Sequence, residues 1–416
     1  MKPKLLTTLR DYSARLFMTD ALAGIVVAMI ALPLSLAIAI ASGAEPAAGL
    51  ATAIIGGLLI SALGGSRVQI GGPTGAFIVV VYGVIEQFGF DGLLLATLMA
   101  GFILIIAALA RAGNIIALIP EAVIEGFTVG IALIIAISQL KDLLGLDIAR
   151  LPADLVEAAP VLWSARHSAS FAAAGIGLAS IAAIALLKRR ASSIVVLALA
   201  SAAVALASLP VETIHSRFGS LAGGLPYPSL PHITLARIGE LLPSALVIAF
   251  LAGVESLLSA IVADRMIGSS HRSNAELIAQ GAANIASPLF GGLPATGAIA
   301  RTAANVRAGG RTPVAGIIHA LAILLFVVAA APLAGYLAMP ALAALLIITA
   351  WSMSEPHRWR ERLKLRPADR FLLFLTMILT LVSNLTVAIA VGTTIGLAQR
   401  LARRDIPPAQ WKPDDR

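Results

Sequence analysis

GGPTGAF, residues 71–77, and GGLPATGA, residues 291–298, interrupt apolar stretches that otherwise read as chain at the depth of a bilayer. Each sets two glycines and a proline ahead of a short apolar segment, and Thr74-Gly75-Ala76 of the first returns as Thr296-Gly297-Ala298 of the second. The same offset carries Pro33 onto Glu255. Short, Gly/Pro-interrupted segments at matching places in two halves of a chain are the best sequence pointer to a transporter's binding site. Irregular backbone at membrane depth is tolerated only where protein or a water-filled cavity satisfies it. The first turn of the helix that follows leaves N–H groups free and carries the positive end of the helix dipole. Two such starts facing each other would trap an anion without any formal charge. One Thr-Gly-Ala alone reads more simply as a packing face, because small residues let membrane helices approach closely. The matched pair favours the site.

Around these stretches the chain of 416 residues is 59% hydrophobic and only 12% charged, too apolar for an ordinary soluble domain. A membrane helix needs about 20 mostly apolar residues. Spans of this character fall near 18–42, 48–63, 74–88, 92–110, 114–140, 169–187 and 191–208, then near 241–263, 275–289, 295–306, 313–333, 337–352, 371–384 and 386–400. Seven precede residue 210 and seven follow it, and an odd number per half turns the second copy upside down. The expected fold is an all-α membrane protein of 14 transmembrane segments in a 7+7 inverted repeat, with two half-helices at the midplane.

The basic N-terminus, MKPKLLTTLRDYSARLF, is not followed by a short apolar stretch with a small-residue cleavage site, so no signal peptide is read. Cysteine is absent, which excludes disulfides and thiolate-held metal. A net charge of +8 could suggest nucleic acid, but basic residues in a membrane protein mark the cytoplasmic side. With both termini inside, the inner segments collect Lys2, Lys4, Arg10, Arg15, Arg67, Arg111, Lys188 to Arg190, Arg265, Arg272, Arg307, Arg311, the cluster from Arg358 to Arg370, and Arg400 to Arg416. The outer loops hold only Lys141, Arg150, Arg166, Arg217 and Arg237. The bias makes a nucleic-acid partner unnecessary and places the chain as a multi-pass protein of the cell inner membrane, in contact with the lipid bilayer.

Charges at bilayer depth are costly and by default suggest function. Glu255 lies near the middle of the eighth span, with Ser256 beside it and Ser259 one turn on. Arg301 lies about a turn beyond the Thr296-Gly297-Ala298 start, where it adds formal charge to the dipole field. Burial away from water favours a carboxylate's protonated form, so Glu255 is a candidate to load and release a proton. Holding sodium with carbonyls and hydroxyls is a second possibility, and a simple Glu255–Arg301 pair a third. Glu121 and Glu125 open the fifth span and read as interfacial or first-turn dipole partners. Of the six histidines only His319 falls inside a span, and none has metal-ligand spacing. Nothing resembles a nucleophile–base constellation, a P-loop or a dinucleotide fingerprint, so neither an enzyme nor an ATP-driven pump is expected.

Several stretches carry a family resemblance: ALPLSLAIAIASGAEPAAGLATAI from Ala31, GGSRVQIGGPTGAF, PEAVIEGFTVGIALIIAISQLKDLLGL, GLPYPSLP, and GGLPATGAIARTAANVRAGGRTPVAG. Together they resemble the SulP sulfate-permease family, relatives of prestin and pendrin, over residues 15–402. The resemblance implies a cytoplasmic N-terminus (1–17) and a transport domain (18–402). Within it a core of spans 1–4 and 8–11 (about 18–110 and 241–333) moves against a gate of spans 5–7 and 12–14 (about 114–208 and 337–400) in an elevator-like cycle. It further implies a homodimer and, with the chain ending at Arg416, a short tail (403–416) with no room for the family's cytoplasmic STAS domain. Residue by residue, it puts Thr74, Gly75, Ala76, Thr296, Gly297, Ala298 and Arg301 at the anion site, and Glu255 and Ser259 at the coupling position. Its substrates are sulfate, chloride, bicarbonate, oxalate and dicarboxylates.

There are departures. Ile299 stands where sodium-coupled members have a hydroxyl, and Asn384 and Ala390 where the family often has acids. The first weakens a sodium site and favours coupling to H+ over Na+. The expectation is a secondary active anion transporter working by proton symport without cofactor. A sodium-coupled bicarbonate symporter or an exchanger is the nearest alternative. An anion channel or motor-like protein, and a nucleobase permease of the same architecture, are more distant ones.

Overall fold

The computed structural model describes residues 2–9, 12–113, 120–149, 151–152, 155–187, 192–221, 223–382 and 385–402. Arg10, Arg150, Lys188 to Arg190, Asn384 and the expected tail 403–416 lie outside these residues.

Hydroxyl caps and prolines begin the helices, and small residues bring them together. Ser13 accepts from the N–H of Leu16 at 3.2 Å and starts α1 (Ala14–Ala41), which runs through Pro33. Pro46 opens α2 (Pro46–Leu63), and strand β1 (Gly71–Gly72) follows. A single 3-10 turn, Gly75–Phe77, leads into α3 (Ile78–Leu109). Then come α4 (Glu121–Ser138), α5 (Phe171–Leu187) and α6 (Ser192–Leu206). In the second half Thr234 caps the long α7 (Leu235–Ile267), followed by α8 (Ser273–Leu289), strand β2 (Thr296–Gly297) and α9 (Ile299–Ala308). Thr312 and Pro313 open α10 (Pro313–Ala334), and α11 (Met339–Met353), α12 (Pro367–Val382) and α13 (Leu385–Ala402) complete the chain.

The expected third and fourth spans form one helix bent at Gly89, whose φ of 72° and ψ of 176° are a conformation open to glycine and little else. Among the described residues six helices are long and apolar enough to cross a membrane: Ala14–Ala41, Pro46–Leu63, Gly75–Leu109, Glu121–Leu144, Leu235–Ile267 and Pro313–Ala334. The pair Leu155–Ser168 and Phe171–Leu187, bent by 116°, makes a seventh if it is counted as one span. The figure is below the 14 expected in part because two expected spans share α3, and because α6, α8, α9, α11 and α12 have 15, 17, 10, 15 and 16 residues. Each is shorter than the roughly 20 residues that a straight crossing takes.

The helices pack in two groups. α1 lies against α2 and α10, α3 against α7 and α8, and α8 also against α2. In the other group α4 lies against α11 and α12, α11 against α5, and α12 against α13. A Cβ on Gly49 would lie 2.0 Å from the Ser35 carbonyl, and one on Gly126 2.2 Å from that of Leu373, so α1–α2 and α4–α12 meet backbone to backbone. The 33 residues of α7 separate two polar ends. At one, Arg272 donates from its N–H to Gly65 O (3.1 Å) and from Nη1 to Lys2 O (2.7 Å). At the other, Arg237 pairs with Asp91 of α3 and donates to the His232 carbonyl.

Candidate functional site

The two interrupted stretches cross and satisfy part of each other's backbone. β1 pairs antiparallel with β2, Gly71 opposite Gly297 and Gly72 opposite Thr296, and the Ala298 N–H donates to Ile70 O at 2.9 Å. The two Thr-Gly-Ala triplets do not pair with each other; the first lies just beyond its strand, the second begins within its own. Side chains hold the rest of the second stretch. Asn284 of α8 acts as a strand partner, Nδ2 donating to Ala295 O (2.8 Å) and Oδ1 accepting from the Ala295 N–H (2.9 Å). Thr52 accepts from the Leu293 N–H (2.6 Å), and Ser287 donates to the Leu293 carbonyl (2.8 Å). Non-helical backbone here is therefore buried in protein that meets its hydrogen-bonding needs.

From this crossing the chain leaves through the Gly75–Phe77 turn on one side and through α9 on the other. Helix geometry leaves the first-turn N–H groups of α9 without partners inside the helix, although that of Ala298 is taken by Ile70. Ile299 and Ala300 at this start are exposed, so the dipole's positive end opens onto free space.

Thr74 is buried and donates from Oγ1 to Glu255 Oε2 at 2.9 Å, while Glu255 itself is half-buried on α7. Thr296 donates to Ala252 O, one turn earlier on α7, at 3.0 Å. Arg301 is only 2% exposed. Its Nη2 donates to Ser35 Oγ of α1 (3.1 Å) and to Pro73 O (2.9 Å), and its Nε and Nη1 have no partner. Arg301 and Glu255 are thus not a simple pair: each, from the second half, holds a residue of the first stretch instead. Ser259 is fully buried with Oγ 3.1 Å from Thr302 Oγ1, which accepts from the Ile70 N–H, so it braces α7 against α9. Gly75 faces the other helix group: a Cβ there would lie 3.2 Å from Met353 Sδ of α11 and 3.6 Å from Ile135 Cδ1 of α4. Ala76 beside it is half-buried. At two positions of the crossing a side chain would have to displace a residue of the site. A Cβ on Gly297 would lie 1.5 Å from Gln69 Nε2, and one on Gly72, at φ 148°, 2.1 Å from Arg301 Nη1.

Three buried polar groups near these elements escaped the sequence reading, Asp20, Glu276 and Gln69, and His319 is given no role there. Asp20 of α1 accepts from the N–H groups of Arg311 (2.8 Å) and Thr312 (3.2 Å), and it also bonds the Thr312 and Tyr12 hydroxyls, fastening the start of α10. Glu276 and Gln69 belong to one hydrogen-bonded group with Ser256 and Gln280. His319 is buried with neither ring nitrogen partnered. An Asp and a Glu near the starts of apolar runs look like ordinary helix-start residues, which hid Asp20 and Glu276. Glu125, read as interfacial, is instead buried against Arg358 (2.8 Å) and Arg362 (3.1 Å); Glu121 stays half exposed, 3.5 Å from Arg358.

The sulfate permease family profile matches residues 17–376. A putative sulfate transporter, YvdB of Bacillus subtilis (strain 168), is 40% identical over 98% of this chain and 79% of its own. The bicarbonate transporter BicA of Picosynechococcus sp. is 28% identical over 90% of this chain and 69% of its own. Among solved structures, the transmembrane domain of a cyanobacterium bicarbonate transporter BicA superposes with a TM-score of 0.82 at 28% identity, covering 93% of this chain and 98% of that one. SLC26A9 superposes with a TM-score of 0.87 over 97% of this chain and 68% of its own, at 18% identity, a likeness of fold.

Proposed function

Since the chain belongs to the sulfate permease family and is an anion transporter, not an enzyme, we propose that it is a secondary active symporter which couples uptake of a small anion to protons. The anion would be of the sulfate, bicarbonate or dicarboxylate class, and would lie where the Gly75–Phe77 turn and α9 leave the β1–β2 crossing. It would be held by first-turn N–H groups and by the field of Arg301, with Thr74, Gly75, Ala76, Thr296, Gly297 and Ala298 shaping the cradle. Glu255 carries the proton. The observation that carries this reading is the 2.9 Å hydrogen bond from Thr74 to Glu255, which ties a half-buried carboxylate to the start of one half-helix beside a buried arginine with two unpartnered nitrogens. Buried donors in native structures are nearly always satisfied, and an anion beside Arg301 would satisfy these two.

The 14-segment inverted-repeat reading draws support from the antiparallel meeting of the two matched stretches. The core-and-gate division, with elevator-like motion, draws on the two packing groups and on the contact of Gly75 with α4 and α11. Both termini are assigned to the cytoplasm of an inner membrane from the bias in basic residues, and a homodimer is the assembly in this reading. Sodium coupling has one observation behind it, the facing hydroxyls of Ser259 and Thr302 one turn from Glu255. Their commitment to each other and to Ile70, and the absence of a side-chain oxygen at Ile299, favour the proton.

The test is uptake of radiolabelled sulfate, bicarbonate and fumarate into proteoliposomes under an inward proton gradient, an inward sodium gradient, or neither. Proton-driven uptake of one anion is the expected result. Uptake that follows sodium, or that needs an anion on the far side, would replace the coupling; no uptake of any of the three would refute the substrate class.

A further inference from the structure

Glu276 is fully buried on α8, and among the described residues it has no salt bridge. A carboxylate is expensive to bury without a cation unless hydrogen bonds replace its water. Here four donors do so. Oε2 accepts from the N–H groups of Gly65 (2.8 Å) and Ser66 (3.2 Å), and Oε1 from Gln280 Nε2 (2.9 Å) and Ser256 Oγ (3.1 Å). Holding the Gly65–Ser66 loop needs only Oε2. Oε1 is spent on Ser256, the neighbour of Glu255.

The hydrogen-bond directions then follow. A serine hydroxyl has one proton and two acceptor positions. Ser256 Oγ accepts from Gln69 Nε2 (2.9 Å) and Gln280 Nε2 (2.7 Å), so its proton goes to Glu276. Gln69 Nε2 also donates to the Ser256 carbonyl (3.2 Å). Both donor positions of the Gln69 amide thus face Ser256, and this amide stands in the space that a Cβ on Gly297 would occupy. A path of oriented contacts runs from Glu276 through Ser256 to Gln69 and ends against β2, at the start of α9.

Building on the proposed function, we infer that Glu276 is a positioning residue of the anion site: by fixing Ser256 and Gln69 it sets how closely Gln69 approaches Gly297, and so the width of the cradle. It touches no substrate itself. Removing its charge frees the Ser256 proton and lets the Gln69 amide turn, which alters anion affinity more than turnover.

The test compares native protein, Glu276→Gln, Gln69→Met and the double variant in proteoliposomes, using whichever of sulfate, bicarbonate and fumarate the native protein takes up. Each single variant is expected to raise KM about tenfold, the scale of one lost hydrogen bond, with maximal uptake within about twofold of native. The double variant should be no worse than either single, because both act through one path. A merely structural role would lower the melting temperature and leave KM alone. Unchanged KM in either folded single variant, or multiplied effects in the double, would overturn the inference. If Glu276→Gln does not fold, Gln69→Met decides, and a native KM in that variant refutes the path. Native protein that takes up no anion fails the functional reading itself, a result distinct from active native protein with indifferent variants.

Discussion

In the proposed function Glu255 and Arg301 have different roles, and where each hydrogen bond goes is what separates them. Glu255 receives the Thr74 hydroxyl and stays half-buried, whereas Arg301 is sealed beneath β1 by Ser35 and Pro73. Glu255→Gln keeps a partner for Thr74 but cannot exchange a proton. It is expected to abolish uptake driven by an inward proton gradient and to flatten the dependence of uptake on external pH, while trans-anion exchange persists. Proton-driven uptake at the native rate in this variant would remove Glu255 as the carrier. Arg301→Ala deletes a full positive charge at the crossing and should weaken anion affinity tenfold or more, about the scale of a charged hydrogen bond, as read from KM for uptake. Gly297→Ala sets a methyl group where the Gln69 amide now lies, so that amide must swing aside. It should weaken anion affinity, read as a raised KM for uptake, and a native KM would move the site away from this crossing.

At the scale of elements, the device is a pair of interrupted segments braced by neighbours. The bend in α3 at Gly89 is exposed, and a Cβ there would meet nothing within 4 Å, so its requirement for glycine is purely one of backbone. Gly89→Ala is expected to destabilise the protein by about 1–3 kcal/mol through backbone strain alone, seen as a lower melting temperature in detergent. Asn284 contributes differently: its amide completes the backbone of Ala295 where no strand partner exists. Asn284→Leu leaves a buried N–H and carbonyl unpaired, a loss of about 1–3 kcal/mol per group, so the melting temperature should fall further than for Gly89→Ala.

Over the whole molecule, the proposed motion of one helix group past the other makes the few contacts between them decisive. Gly75 reaches Met353 across that boundary, and the chain contains no cysteine. Gly75→Cys combined with Met353→Cys should cross-link on oxidation, and uptake by the oxidised protein should fall below that of the reduced double variant. Full uptake by the oxidised, cross-linked protein would exclude relative motion at this boundary. On the side of α4, Glu125, Arg358, Arg362 and Glu355 tie that helix to the connection between α11 and α12. Burial opposes the charge on Arg358, but the surrounding carboxylates outweigh it, and Glu125, then Glu355 and Glu121, hold the guanidinium above the ordinary arginine range.

The membrane setting, the helical class and the two interrupted stretches were legible in the sequence because apolar run length and Gly/Pro punctuation are local properties of the chain. Thr74, Gly75, Thr296, Gly297, Arg301 and Glu255 could be picked out for the same reason: each is unusual within its own span. What tertiary structure decided was the pairing. Nothing local says that Gly71 faces Gly297 and not Gly75, that Arg301 holds Pro73 while Glu255 holds Thr74, or that Ser259 braces Thr302. Nor could Glu276 or Asp20 be told from a common helix-start carboxylate, since the backbone N–H groups that each one holds lie 210 or more residues away in the chain. Sequence by itself determined which residues are out of place in a bilayer; only the fold decided which distant groups satisfy them, because a hydrogen bond depends on position in space and not on separation along the chain.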